Sequence, residues 1–220
     1  TDSMCLPGAG AKPGQKHGIC AAIDKSNVGY CCPNSGDSGW RHIPLADGAA
    51  GNDDSARFCW VIDPIDGTKA FISGKPIFGT LIGVADRGVP CAGVIDMPIL
   101  NETYIGHLMD QNQRFCQMNG VIVRTSNCRD LSSARIATTS PLVLSASGLA
   151  GFNQLATQAA VTNYGGDCHN YALLASGYID LVMEDSLAPH DILAVVAVMQ
   201  AAGAIVTDTA GQPILHGQST

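Results

Sequence analysis

Positive charge is scarce in this chain of 220 residues, where 12 Lys and Arg stand against 19 Asp and Glu for a formal charge of −7. Binding to a nucleic-acid backbone requires clustered cations, so no nucleic-acid partner is expected. A phosphorylated small substrate stays open, because metal ions supply positive charge that side chains lack. The nine cysteines are odd in number and contain no C-x-x-C pair, which signals neither a zinc site nor a secreted disulfide framework. Free thiols in a reducing cytoplasm are the reading, with a cysteine-rich zinc-binding module as the weaker alternative. No apolar stretch approaches a membrane span, and the longest, such as 192–199, falls far short of one. No membrane partner is therefore expected. No charged, apolar and small-residue leader opens the chain, so a cytoplasmic location is expected; Thr1 is not Met, and an upstream leader stays open. Internal repeats and low-complexity tracts are missing too.

What is there is enough to fold. With 46% hydrophobic residues the chain buries a real core as one large or two small domains. Residues 1–56 form an atypical Gly- and Cys-rich segment without helical or strand period, and 31–39 read as loop. Residues 57–124 are α+β in character. Strands at 58–62, 80–85, 91–96 and 102–106, separated by short turns, predict an antiparallel meander, with 121–124 as one more edge. Residues 125–220 alternate as α/β. Strands are read at 135–139, 178–183 and 204–208, and helices at 151–160, 172–176 and 192–202, the last two ended by Gly177 and Gly203.

The chemistry concentrates in Trp60-Val61-Ile62-Asp63-Pro64-Ile65-Asp66-Gly67-Thr68. An apolar strand delivers two carboxylates three residues apart onto a turn shaped by Pro64 and Gly67, followed by a small backbone and a hydroxyl. Acids that close repel unless a cation lies between them, so a divalent metal on Asp63 and Asp66 beside an anion-binding turn is the simplest reading. A plain strand end with solvated acids is the alternative. A second acidic place follows. Asp191 precedes the apolar helix 192–202, where it serves as N-cap, as metal ligand, or as both. Glu184 ends the strand 178–183, where α/β proteins place ligand-binding side chains; a solvated strand-end acid is its other reading.

Together these strings resemble the inositol-monophosphatase-like family of metal-dependent phosphatases. Asp63-Pro64-Ile65-Asp66-Gly67-Thr68 matches the first family signature, and Asp191 with Ala202-Gly203-Ala204-Ile205-Val206-Thr207-Asp208 matches the second. Gly67-Thr68-Lys69-Ala70-Phe71-Ile72-Ser73-Gly74, Gly93-Val94-Ile95-Asp96-Met97-Pro98 and Tyr164-Gly165-Gly166-Asp167-Cys168 resemble its histidinol-phosphate phosphatase branch. The resemblance covers roughly residues 57–215. It implies an α/β fold, a layered αβαβα sandwich of the inositol-monophosphatase/fructose-bisphosphatase type with an α+β first half and an α/β second half. It also implies hydrolysis of a phosphomonoester, L-histidinol phosphate foremost, by metal-activated water without a covalent phosphoenzyme. Asp63, Asp66 and Asp191 would hold Mg²⁺, two or three ions in all, with the Ile65 carbonyl as a further ligand. Gly67 and Thr68 would bind phosphate, Thr68 would act in catalysis, and Gly165, Gly166, Asp167 and Glu184 would line the alcohol pocket. A small phosphorylated metabolite is the implied partner, and a homodimer is compatible with the family.

The upstream Gly-Glu-Glu metal motif of the family is absent. In the same register Asp47 falls at its metal-binding Glu, and Asp24 falls at the acid that orients the Thr hydroxyl. Gly29, Pro33, Gly36 and Gly39 disfavour the helix that relatives carry between these positions. Relatives also add a closing helix and strand after Gly211-Gln212-Pro213, so degraded N-terminal helices and a truncated C-terminus are expected. Competing functions are an inositol-1-phosphate phosphatase, a 3′(2′),5′-bisphosphate nucleotide phosphatase, and a catalytically impaired or fragmentary family member.

Overall fold

Alternation of apolar and polar residues dictates strands over much of the chain, and a computed structural model describes residues 5–7, 18–24, 27–33, 40–46, 49–50, 57–110, 113–185 and 187–214. They fall into two compact units, Thr1–Arg57 and Phe58–Thr220. In the first, β1 (Cys5–Pro7), β2 (Gly18–Asp24), β3 (Asn27–Pro33), β4 (Trp40–Ala46) and β5 (Ala49–Ala50) make an antiparallel sheet in sequential order. The sequence shows no strand period here. Pairing of neighbouring segments, Cys31 opposite His42 for example, makes strands without the alternation that marks a half-buried face.

The second unit opens with the expected meander. Strands β6 (Phe58–Asp66), β7 (Gly79–Asp86), β8 (Val89–Met97), β9 (Glu102–His107), β10 (Phe115–Met118) and β11 (Val121–Ile122) form a six-stranded antiparallel sheet, with β6 and β11 at its edges. Period-2 burial is clean on β7, where Gly79, Leu81, Gly83 and Ala85 face inward and their neighbours lie half-buried. Arg87 and Gly88, at φ +50° and +82°, close the β7–β8 hairpin through the left-handed region that a two-residue turn requires. A five-residue helix, α1 (Thr68–Ile72), stands between β6 and β7.

The remainder is α/β. Strands β12 (Arg135–Thr138), β13 (Val161–Tyr164) and β14 (Leu181–Val182) make a parallel sheet in the order β13-β12-β14. Helix α2 (Ala146–Ala156) starts where the Ser145 hydroxyl accepts the Gly148 N–H at 3.0 Å, five residues before the position read from sequence. Helix α3 (Cys168–Ala175) likewise starts earlier, at the residue after Asp167. The strand predicted at 178–183 shortens to Leu181–Val182. Tyr178 N–H closes the end of α3 on the Leu173 carbonyl, and Asp180 turns to Arg135, accepting from its Nε at 2.9 Å and its backbone N–H at 2.7 Å. The strand predicted at 204–208 is not formed. Thr207 makes one isolated bridge to Pro213, and the Asp208 carboxylate accepts the Ala210 and Gln212 N–H groups, folding this segment into a tight turn.

Helix α4 (Pro189–Ala202) is apolar on every side because it is covered on every side; Val195, Val196, Ala197 and Val198 are fully buried. It lies with α3 between the two sheets, in one core that includes Leu81, Ile95, Tyr104 and Ala137. Phe152 of α2 packs with Ile136 on the other face of the parallel sheet. The layers are therefore β, α, β, α, as expected for an α+β first half and α/β second half. Among the described residues no helix precedes residue 57, and none is long and apolar enough to cross a membrane.

Close approach of α4 depends on a row of glycines. Gly83 pairs with Gly93, and Gly93 with Gly106, across β7, β8 and β9. A Cβ on Gly83 would stand 2.9 Å from the Ala194 backbone nitrogen, and one on Gly93 would collide with the Ala194 carbonyl. A Cβ on Gly106 would stand 2.8 Å from the Ala197 carbonyl oxygen. These obstacles are helix backbone, which cannot move aside as a side chain can. Gly93→Val should therefore destabilise the protein by at least about 1–3 kcal/mol, the usual cost of overpacking, read as a lowered urea midpoint at constant m-value. A midpoint within error of the parent would show that α4 does not rest on this row.

Candidate functional site

The strand carrying the first two acids does not stop at the predicted turn. It runs through Asp66, but its register slips: Asp63 lies opposite Leu81 and Asp66 opposite Gly79, so one extra residue bulges from β6. Pro64 is tolerated because β6 is an edge and the residue sits in that bulge; its carbonyl accepts the Thr80 hydroxyl at 2.9 Å. A bulge re-aims the side chains beside it. Gly67 then turns the chain with φ +76°, and a Cβ there would lie 3.2 Å from Asp167 Cβ. Glycine thus brings the start of α1 against the Gly165-Gly166-Asp167 turn, itself held by Asn170 donating to the Gly165 carbonyl at 2.9 Å.

Asp191 arrives from the opposite direction, on α4. It is not the N-cap. Ala188 takes that position, Pro189 follows as the first helical residue, and the Asp191 carboxylate reaches back to accept the Ala188 N–H at 2.8 Å. One carboxylate oxygen each of Asp63 and Asp191 and a ring nitrogen of His190 lie within 4.8 Å of one another. Three of the expected metal-binding acids have an oxygen fixed by backbone. Ile65 N–H donates to Asp63 at 3.1 Å, and Cys168 N–H donates to Asp66 at 2.7 Å, as Ala188 N–H does to Asp191. The Ile65 carbonyl accepts the Thr68 hydroxyl at 3.2 Å.

A cavity of about 270 Å³ opens beside this cluster, walled by Asp66, Asp167, Glu184, Asp185, Asp191 and Thr139, among others. Glu184 is anchored by the Thr139 N–H and by the Thr138 hydroxyl at 3.3 Å. Asp185 is buried and accepts the Ser145 hydroxyl at 2.6 Å, tying the start of α2 to the wall. A larger cavity of about 470 Å³ lies between β14 and residues 203–207; polar and apolar surface share its wall equally, and Asp180 and Glu184 are its acids.

The electrostatics are those of a site short of a cation. Burial raises the Asp66 carboxyl to about 7; its bond to Cys168 opposes the rise, and the charges of Asp63 and Asp191 add to it. Burial also raises Asp63, with His190 opposing and Asp191 adding. Asp167 and Glu184 are raised by burial as well, Asp167 against the pull of Lys69 and Lys75. Several acids facing one space from partly buried positions, with few described cations among them, fit a divalent ion.

Asp63, Asp66, Asp191, Asp167 and Glu184 are thus gathered around one place, with Ile65, Gly67, Thr68, Gly165 and Gly166 on the segments that carry them. Asp47 lies outside the described residues. Asp24 ends β2 in the first unit, and its side chain also lies outside the description. The sequence reading missed His190, Asp185 and Thr139. Only His190 carried a signal, as an imidazole adjoining an acid at a helix start.

The raised Asp66 has a consequence for stability. An unfolded Asp titrates near about 3.9 and this one near about 7, so between those values the folded state holds more protons. Stability of metal-free protein should fall as pH rises through that window. Thermal melts in chelator should show this slope, Asp66→Asn should flatten it, and a divalent ion should raise the melting temperature more at pH 8 than at pH 5. A slope unchanged in Asp66→Asn would remove Asp66 as its source.

Comparison with known proteins agrees with this geometry. A bifunctional phosphatase of Arabidopsis thaliana, IMPL2, chloroplastic, is 45% identical over 168 residues, which are 76% of this chain and 47% of the relative. A histidinol-phosphatase of Chlorobaculum parvum is 32% identical over 161 residues, 72% of this chain and 61% of its own. The structure of an inositol monophosphatase from Zymomonas mobilis superposes with a TM-score of 0.70 at 39% identity, covering 74% of this chain and 63% of that one. The chain spans less than two thirds of the length of each. The family model described as the inositol monophosphatase family matches residues 44–220, and the chain belongs to that family.

Proposed function

We propose that this chain is a Mg²⁺-dependent phosphomonoesterase whose preferred substrate is L-histidinol phosphate, released as L-histidinol and phosphate. The observation that carries the reading is the convergence of Asp63 and Asp66 from a bulged strand with Asp191 from a helix start, each with one oxygen tied to backbone. These carboxylates, with the Ile65 carbonyl, would hold the ions. Bound there, divalent ions would supply Lewis-acid polarisation of the phosphate and a water acidic enough to attack it.

The chain's own groups do the rest. Backbone N–H groups of Gly67 and Thr68 bind phosphate oxygens. The Thr68 hydroxyl spends its proton on the Ile65 carbonyl, which leaves its oxygen as acceptor for the O–H of the attacking water. The water oxygen forms the new bond to phosphorus as the ester P–O bond breaks, and the leaving alcohol takes up a proton. Substrate choice rests on the far wall. Asp167, Glu184 and Asp185 face the cavity, and an alcohol bearing an amine and an imidazole meets acids there. An inositol phosphate or a nucleotide bisphosphate would bring no cation to that wall. The similarity to a histidinol-phosphatase supports the same choice.

Phosphate release from histidinol phosphate, inositol 1-phosphate and adenosine 3′,5′-bisphosphate, each with and without Mg²⁺, tests the reading. Histidinol phosphate should be turned over fastest, and equal rates on all three would contradict the substrate assignment. Asp63→Asn should reduce the rate by more than about a hundredfold, beyond the usual cost of losing an outer-shell partner. Asp167→Asn should raise KM for histidinol phosphate and leave KM for inositol 1-phosphate, whose alcohol is uncharged, unaffected.

A further inference from the structure

We propose that His190 is itself a metal ligand, so that Asp63, His190 and Asp191 form a mixed nitrogen and oxygen site preferring a first-row transition ion such as Mn²⁺ over Mg²⁺. The inference rests on the metal-dependent reading of this site and changes the identity of its ion.

The distances fit a shared ion. His190 Nε2 stands 3.6 Å from Asp191 Oδ1, and the ligand atoms of all three residues lie within 4.8 Å. Two ligand atoms each about 2.2 Å from one ion stand roughly 3–4.4 Å apart, so small side-chain rotations close the set. The 3.6 Å separation is beyond a hydrogen bond. It is ion-pair range for a protonated ring and, for a neutral one, leaves the room in which both groups can reach one ion.

Their positions are determined by local structure. Pro189 and His190 open α4, and the Asp191 carboxylate is held by Ala188 N–H through Oδ2, leaving Oδ1 on the His190 side. Asp63 is held through Oδ1 by Ile65 N–H, leaving Oδ2. His190 and Asp191 are about 30% and 28% exposed, so an ion and its remaining waters can enter. Imidazole suits first-row transition ions, most of all those later in the row; Mn²⁺, the hardest of them, still accepts a nitrogen among oxygens, whereas Mg²⁺ demands oxygen ligands and gains little from one. Asp66 is outside this set, its Oδ2 engaged by Cys168, and remains available to a second, all-oxygen ion.

Calorimetric titration of the full chain with Mn²⁺ and with Mg²⁺ tests the proposal, alongside electron spin-echo modulation of the Mn²⁺ complex. Mn²⁺ is the probe because nine cysteines would compete for zinc. Wild type should bind Mn²⁺ more tightly than Mg²⁺ and show modulation from a directly coordinated imidazole ¹⁴N. His190→Gln should lose that modulation and about tenfold or more in Mn²⁺ affinity, with Mg²⁺ affinity changed by less than about threefold. Wild-type protein that binds Mn²⁺ without ¹⁴N modulation overturns the assignment without recourse to any variant. A His190→Gln protein that binds Mn²⁺ as wild type does overturns it too, and leaves the phosphatase reading standing. Failure of wild type to bind either ion would overturn both.

Discussion

The seat of helix α4 on the antiparallel sheet is the constraint from which the site follows. Gly83, Gly93 and Gly106 line up across three strands, and the helix backbone occupies the space their side chains would fill. Close packing there buries Val195, Val196 and Val198 completely; burial of each is worth about 1.5–3 kcal/mol. The same contact sets where the helix begins. Its first turn carries His190 and Asp191, and the sheet's edge strand carries Asp63. A helix held further out would separate these residues.

Against that packing stands a local electrostatic cost. The charges of Asp63 and Asp191 add to the rise that burial causes at Asp66, Asp191 adds to that at Asp63, and Asp167 adds to that at Glu184. Backbone donors from Ile65, Cys168 and Ala188 offset part of the cost, and each comes from a different piece of irregular structure: a bulge, the start of α3, and the start of α4. What they leave uncompensated is the room for a cation. Burial first, and mutual repulsion after it, disfavour the charged carboxylates, so a bound cation should stabilise the fold.

Much of this was legible in the residues. The Asp63–Thr68 string, the apolar run after Asp191 and the Gly203 stop carry strong local signals, and the meander follows from regular alternation through β9. What was not legible depended on partners distant in sequence. The strand expected at 204–208 has the right composition, yet Asp208 draws the chain into a turn instead. β13 is short and mostly exposed, so no apolar pattern marked it. The glycine row has meaning only once three strands are in register. His190 shows no periodicity at all, and only the fold reveals that it faces Asp63. Asp47 and Asp24 rested on register with relatives alone, and both side chains lie outside the described residues.

Helix α4, seated on the glycine row, brings Asp191 and His190 to Asp63, the place proposed for a divalent metal. Anomalous diffraction from crystals of this chain grown with Mn²⁺ measures that most directly. The account predicts an anomalous peak between the Asp63 and Asp191 carboxylates and within bonding distance of the His190 ring. An ordered site with no peak there, or a peak held wholly by other residues, would contradict it.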